Sequence, residues 1–391
     1  MSLELLVAGG GIAGLAAAVG ARAAGWQVRL LEQAPGFSET GAGIQLGPNA
    51  TRLLRGWGLL DRPTLQPFAP ARLRVRDATD GRELGRLALG EAARARYGAP
   101  YLTVHRADLH ATLLAAAQAH GARLEAGVRV ASARADGDVV QADVGGAEPI
   151  EADALAVADG VWSRLRGQLL GDGPAPPTGH VAYRALLSVR DLPSALRQDD
   201  VCAWLGPRMH LVCYPVRAGE AFNVVGFVEG AAMPPGWDHA GDARDLRAAA
   251  GGVCRDLEAL LDAVPAWRLW PVHDRPPLSG PQSMAVGRAV LLGDAAHPMR
   301  PYLAQGAGMA LEDAHELQRV LSTCDGRVID VPTALRRYAL NRWQRCARVQ
   351  ARSRRNGRIF HADGALRVAR NVAMAVGGDR VMDLPWLYRG A

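Results

Sequence analysis

The segment Gly9-Gly10-Gly11-Ile12-Ala13-Gly14 constrains this chain more than any other. It follows an apolar run, Leu3-Glu4-Leu5-Leu6-Val7-Ala8, short enough for a buried parallel strand, and it opens an alanine-rich stretch over about 12–24 that reads as a helix. Gly25 is placed to end that helix and 27–31 reads as a second strand, so the first 32 residues form a βαβ unit. Glycines at this spacing let the backbone turn tightly and approach a pyrophosphate, while the helix N-terminus offers unpaired N–H groups. Glu32 ends the second strand 18 residues after Gly14, where a carboxylate can accept from ribose hydroxyls.

Two more loops follow apolar strands. Leu291-Leu292-Gly293-Asp294-Ala295-Ala296-His297-Pro298 delivers an Asp at a strand's carboxyl end, where a second sugar or ribitol hydroxyl could be held. A helix beginning near Ala304-Gln305-Gly306 would turn its positive end toward an anion. Ala158-Asp159-Gly160-Val161-Trp162-Ser163-Arg164 is the third loop. Between them, Asp80-Gly81 and Asp136-Gly137 punctuate strand pairs expected to be antiparallel hairpins, and 107–120, closed by Gly121, reads as a helix. The proline-rich 171–177 marks a boundary. After it the runs 181–189, 201–205, 210–216 and 222–228 suggest an antiparallel sheet, a helix is expected over 243–261 and a parallel strand over 288–292, and helices follow from 303.

The run 202–214 reads as a hairpin turning at Gly206-Pro207. Residues four apart in a strand share a face, so His210 and Tyr214 are expected to point into one cavity with Val212 between them. Such a pair can take a phenol proton and hold the phenolate, or be a satisfied structural pair.

With 391 residues, 49% hydrophobic and 21% charged, the chain has enough apolar surface for two or three domains without staples or long disorder. No run of 18 uncharged apolar residues and no basic leader before an apolar core occurs, so neither a membrane span nor a secretory signal is expected. Five cysteines (202, 213, 254, 324, 346), odd in number and without CxxC, point to free thiols in a reducing compartment, and no HExxH or Cys/His spacing calls for a metal. Every one of the 45 basic residues is Arg. The net +6 is concentrated in 336–370, which holds 11 Arg and one acid, leaving −4 elsewhere. Arg342, Arg345, Arg348, Arg352 and Arg355 recur at three- and four-residue steps, one stripe on a helix. With no base-stacking or groove-entering motif beside it, that stripe is expected to pack against the acidic body and to draw anions toward the site.

The three loops, in this order and separation, resemble the class A flavoprotein aromatic hydroxylases, single-component FAD monooxygenases. The branch resembled is that of 3-hydroxybenzoate 6-hydroxylase, salicylate hydroxylase and 6-hydroxynicotinate 3-monooxygenase. Gly41-Ala42-Gly43-Ile44-Gln45-Leu46-Gly47-Pro48-Asn49-Ala50, His105-Arg106-Ala107-Asp108-Leu109, Met299-Arg300-Pro301-Tyr302-Leu303-Ala304-Gln305-Gly306 and Arg352-Ser353-Arg354-Arg355-Asn356-Gly357 extend the likeness over about 3–361. The resemblance implies that Gly9, Gly11 and Gly14 bind the FAD pyrophosphate and Glu32 the adenosine ribose. It implies Arg106 on the flavin side, Asp159 in FAD and NAD(P)H binding, Asp294 on the ribitol, and the helix from Gly306 facing the reduced flavin's N1–C2=O end. His210 becomes the catalytic base with Tyr214 beside it, and Gln45, Cys202, Pro301 and Tyr302 become substrate contacts. Arg184 could hold an anion or sit in a surface ion pair.

The implied fold is α/β: a Rossmann-like FAD-binding domain of the p-hydroxybenzoate hydroxylase type (1–72, 98–173 and 280–345), an inserted antiparallel β-sheet substrate domain (73–97 and 174–279), and C-terminal helices (346–391). The implied activity uses NADH or NADPH, as a transient co-substrate, and O2 to hydroxylate a phenolic or hydroxy-N-heteroaromatic acid through a flavin C4a-hydroperoxide kept dry. A monooxygenase or epoxidase acting on a larger polycyclic substrate is the alternative. Expected partners are the small aromatic substrate and O2, with a homodimer in the cytoplasm and no nucleic acid, metal or stable membrane association.

Overall fold

The computed structural model describes residues 2–390 apart from 40, 136, 147, 231–238 and 325–327. Its opening is the expected unit: strand Glu4–Ala8, helix Ile12–Ala23 and strand Gln27–Glu32, with the two strands parallel and Val7 opposite Leu30. The helix is built from small aliphatic residues and is buried on nearly every side, which suits one clamped between a sheet and other helices.

Six strands form the first sheet in the order 285–286, 289–291, 154–157, 4–8, 27–32, 123–126. All neighbours are parallel except the hairpin Ala285–Val286 with Ala289–Leu291. The central strands Glu4–Ala8, Ala154–Val157 and Ala289–Leu291 lie side by side, so their carboxyl ends deliver the three sequence loops to one edge, the place where open α/β sheets bind ligands.

The second sheet has eight strands, from 72–88 and 177–273, in the order 239–241, 267–273, 177–188, 221–229, 209–216, 201–206, 72–77, 83–88. It is antiparallel except where Val201–Gly206 runs parallel to Arg72–Asp77, the seam at which the earlier segment is joined on. One face packs under two helices: Leu246, Leu257, Leu260 and Leu261 share a core with Trp204, Leu211 and Val224. The opposite face carries Val212, Tyr214 and Val225 to a cavity.

The structure departs from expectation in two places. The helix over 243–261 is two, Ala243–Ala250 and Arg255–Asp262, because Gly251 and Gly252 take left-handed φ values of +67° and +104° that end the first. Strands His239–Gly241 and Trp267–His273 extend the sheet beyond the expected four runs. The hairpin Ser132–Arg134 with Val140–Asp143 forms as expected, although Asp136 of its turn lies outside the described residues. Helices Val331–Phe360 and Gly364–Gly377 pack against the body, and among the described residues no helix is long and apolar enough to cross a membrane.

Candidate active site

A cavity of about 320 Å³ lies where the loop edge of the parallel sheet meets the second sheet. Its floor is made by Gly11, Ile12, Ala13, Ala158, Gly160, Gly293 and Asp294 from the three loops. The glycine loop is tight where it must be and open where a ligand would lie. A Cβ on Gly9, whose φ is +111°, would stand 2.4 Å from the Ala158 carbonyl oxygen, and one on Gly14 would stand 1.9 Å from that of Gly9, whereas a Cβ on Gly11 would meet nothing within 4 Å. The carboxylate of Glu32 accepts from the backbone N–H of Gly10 and of Ala34, each at 2.7 Å, so it braces the loop.

Arg106 begins the helix Arg106–Ala119, lines the cavity and pairs with Glu39 at 3.1 Å. Asp294 is exposed to the open cavity, where the crowding of the surrounding loops pushes its pKa up against the opposing pull of Arg106 and His297. The helix Gly306–Leu321 turns its first residues, Gly306, Ala307 and Ala310, to the cavity. Its first turn holds no acid and its N-terminus no side-chain cap, so its N–H groups are available to an anion. Gln305 just before it is fixed by Asn49, whose Nδ2 donates to the Oε1 atoms of Gln305 and Glu312 at 2.9 and 2.8 Å. Asp159 accepts through Oδ2 from the N–H groups of Arg164 and Leu165, its Oδ1 is buried without a hydrogen-bond partner, and its neighbours Ala158, Gly160 and Val161 line the cavity.

These features fit FAD. The residues that would hold it are Gly9, Gly11 and Gly14 at the pyrophosphate, Glu32 behind that loop, Arg106 and Asp294 along the cavity, and the N-terminus of the Gly306 helix. Replacing Glu32 with Ala removes two charge-assisted hydrogen bonds, worth about 1.4 kcal/mol or more together, and is expected to weaken FAD binding about tenfold or more. Titration of apoprotein by flavin fluorescence would measure this; unchanged affinity would dismiss the brace.

The far end of the cavity is walled by Gln45, Arg184, Val212, Tyr214, Phe227, Trp270 and Pro301. Tyr101 donates to Gln45 Oε1 at 2.7 Å, which fixes that amide on the cavity edge. Burial raises the pKa of Tyr214, partly offset by Arg184 and Gln45, so its phenol stays protonated and can donate. Arg184 places its guanidinium 4.1 Å over the ring of Trp270 and has a buried Nε without a hydrogen-bond partner. No carboxylate pairs with it among the described residues, and burial, with Arg106 next, lowers its pKa to about 10, still charged at neutral pH.

Three expected substrate-end residues are placed differently. Cys202 points away from the cavity: it pairs across the hairpin with Cys213, and both lie in the core under the two helices, because cross-strand partners share a face and the cavity face belongs to Ala203 and Val212. His210 is on the cavity side of its strand, as its spacing from Tyr214 requires, but does not reach the wall. Its ring stacks on Phe227 at 4.7 Å, meets Tyr302 edge-on at 4.9 Å, and its Nδ1 lies 2.7 Å from His361 Nε2. Burial pushes its pKa well below 6.5, with His361 and His180 adding to the effect. Tyr302 is buried in the same aromatic group, and only its neighbour Pro301 lines the cavity.

Behind the Asp294 loop is a buried ion network that sequence spacing did not foretell. Asp313 accepts from His297 Nε2 at 2.6 Å, from the Gly293 N–H at 3.0 Å and from Arg342 Nε at 2.8 Å. Arg342 also donates to Glu312 at 2.7 Å, and Arg345 joins Glu312 at 2.5 Å. The only signal was the stripe of arginines, whose partners stand about 30 residues away. Two groups of close ligating atoms also emerge, His180 with Glu229 and His361, and His297 with Asp313 and Cys346. Their members are too far apart in the chain for spacing to reveal.

The family model described as an FAD binding domain matches residues 2–353. The chain belongs to that family. Within the family it is 40% identical over 373 residues to a 3-hydroxybenzoate 6-hydroxylase of Polaromonas naphthalenivorans (strain CJ2), covering 94% of this chain and 91% of that one. A 6-hydroxynicotinate 3-monooxygenase of Bordetella bronchiseptica is 39% identical over 380 residues, covering 96% and 95%. Among solved structures, a salicylate hydroxylase substrate complex superposes with a TM-score of 0.83 at 25% identity, covering 100% of this chain and 96% of that one. Klebsiella pneumoniae HpxO complexed with FAD and uric acid superposes with a TM-score of 0.84 at 26% identity, covering 97% and 94%. With full-length similarity to named hydroxylases and a cavity that fits the cofactor, the protein is an FAD-dependent monooxygenase of the aromatic-hydroxylase type.

Proposed function

We propose that this enzyme hydroxylates a small aromatic acid bearing a ring hydroxyl, of the hydroxybenzoate or hydroxynicotinate kind, with NADH or NADPH as electron donor and O2 as oxygen source, in the cytoplasm. The observation that carries the substrate class is Arg184, a half-buried cation in the cavity wall with a buried Nε and no acidic partner among the described residues. A charge taken out of water needs an opposite charge, and a substrate carboxylate supplies it. Trp270 beneath the guanidinium holds the fork in place.

When bound, FAD accepts two electrons from the nicotinamide and activates O2 for transfer of one oxygen atom to the ring. The chain's residues hold and prepare the ring. Arg184 anchors the carboxylate, Tyr214 donates to the hydroxyl or phenolate oxygen, and Gln45, fixed by Tyr101, borders the ring. Val212, Val225 and Phe227 keep that end apolar and exclude water. His210 lies behind the cavity wall, covered by Phe227 and Tyr302, and takes the hydroxyl proton on Nε2, the nitrogen that His361 does not engage, once those two rings move aside. Its lowered pKa keeps it neutral, the form that accepts, so the acid limb of kcat/KM due to this base is expected below pH 6.5. His210→Gln should uncouple NAD(P)H oxidation from hydroxylation; coupled turnover at the wild-type rate would remove His210 from the mechanism.

The whole reading is tested by the flavin spectrum of the purified protein and by NADH and NADPH oxidation against hydroxybenzoates, hydroxynicotinates, their decarboxylated analogues and bulky polycyclic phenols. Stimulation by the acids supports the proposal. Stimulation confined to the polycyclic phenols would overturn it.

A further inference from the structure

The helix Gly364–Gly377 is folded inside out. Its polar residues face the protein: Arg367 and Asn371 donate to the buried carboxylate of Asp77 at 2.7 and 2.8 Å, and Arg370 is buried against the carbonyl oxygen of Phe360 at 2.9 Å. Burial would raise the pKa of Asp77, but Arg367, Thr79 and Asn371 outweigh it and hold the carboxyl well below the usual range, so this inward polar cluster is satisfied. The outward face is aliphatic. Leu366, Val368, Val372 and Val376 are 61%, 63%, 57% and 83% exposed, and Ala365, Ala369 and Ala373 are exposed between them. No charged side chain stands on that face between Asp363 and Asp379. An isolated surface helix takes the opposite orientation.

We infer that this face is the contact between two copies of the chain, a pair of antiparallel helices related by a two-fold axis. The size pattern of the seam carries the choice of occupant. Ala365, Ala369, Val372 and Val376 follow one another at steps of four, three and four, the spacing of a helix–helix seam. The small residues stand at one end and the larger at the other. A two-fold axis across the middle sets the valines of each copy against the alanines of the other, so the surface is complementary to itself, as an isologous contact requires. Area agrees: with Val381, 43% exposed, the aliphatic residues present roughly 500 Å² per chain, about 1,000 Å² for the pair, at the lower bound of specific interfaces and large for a monomer's apolar patch. A lipid surface is the poorer match, since exposed Asp363 stands at one end of the helix and Asp379, offset by Arg380, at the other, which leaves no basic cluster to attract anionic headgroups.

Sedimentation velocity of the flavin-loaded protein at tens of micromolar is expected to give twice the 41.4 kDa chain mass. Val372→Glu is expected to give the single-chain mass with an unaltered flavin spectrum, because the position is exposed and its helix contributes nothing to the cavity lining. An Ala369→Cys, Val372→Cys double variant is expected to form a disulfide-linked dimer on a non-reducing gel, which wild type does not. A single-chain mass for wild type, a dimer that survives Val372→Glu without Cys cross-linking, or flotation of wild type with phosphatidylglycerol vesicles would each overturn the inference.

Discussion

Arg184→Met is expected to raise KM for the carboxylated substrate about 100-fold, with kcat and FAD affinity changed less than about threefold. The figure corresponds to about 2.7 kcal/mol, the range for removing a charge-assisted hydrogen-bond pair from a buried anion. The effect falls on KM because the carboxylate keeps its charge from ground state to transition state, so its anchor contributes uniform binding. Specificity is the sharper readout. A decarboxylated analogue leaves the guanidinium of the wild-type enzyme unpaired in the cavity, where it already lacks a protein partner for Nε. Wild type should therefore discriminate strongly between acid and analogue, and Arg184→Met should discriminate little. If both substrates lose the same factor in the variant, Arg184 is holding the cavity wall and not a carboxylate. If FAD affinity collapses instead, the guanidinium serves the cofactor.

How much of this was legible in the sequence depends on how local the physics is. The three cofactor loops could be read because each pairs a short apolar strand with glycine or Asp at its carboxyl end, and parallel neighbours must deliver those ends to one edge. His210 and Tyr214 were correctly placed on one face, since alternation within a strand needs no knowledge of its neighbour. Cys202 was misplaced for the complementary reason: its face is fixed by cross-strand register, Cys202 opposite Cys213, and register across the hairpin follows the turn. The burial of His210 behind the cavity wall depends on Tyr302 and His361, 92 and 151 residues away, and no pattern within the strand announces them. Arg184 was left between an anion site and a surface ion pair; what favours the anion site is that no acidic neighbour pairs with it among the described residues.

The arginine stripe is the instructive intermediate case. Its helical spacing was plain, and so was the acidity of the rest, but the use of each residue differs. Arg342 is fully buried between Asp313 and Glu312, Arg345 reaches Glu312 and the carbonyl oxygens of Trp386 and Leu387, Arg348 lies over Trp386, and Arg354 pairs with Asp274. The charge that made the chain look basic is largely consumed in holding the C-terminal segment to the body.

Arg342→Met should therefore be the most destabilising change outside the cavity. It leaves Asp313 and Glu312 buried with less compensation, which costs about 3–5 kcal/mol when one partner of a buried pair is removed, read as a fall in Tm on the order of 5–10 °C. Because Asp313 also accepts from the Gly293 N–H, the loop carrying Asp294 loosens and FAD retention should fall with it. The pH dependence follows from the directions of the shifts. Burial would raise the pKa of Asp313, but His297 and Arg342 outweigh it and the value is lowered, so its contribution is present above the unfolded value of about 3.9 and is lost as pH falls through the folded one. Burial would lower the pKa of His297, but Cys346 and Asp313 hold it well above 6.5, so its contribution is present below about 6.5 and is lost as pH rises through the raised value. The difference in Tm between wild type and variant should be widest near neutral pH and should narrow below about pH 4 as Asp313 is protonated. Adding Asp313→Asn and Glu312→Gln should recover part of the loss, since a neutral network no longer strands a charge. A single variant as stable as wild type would mean that the network is solvated enough to do without its cation, and the arginine would then owe its place to packing alone.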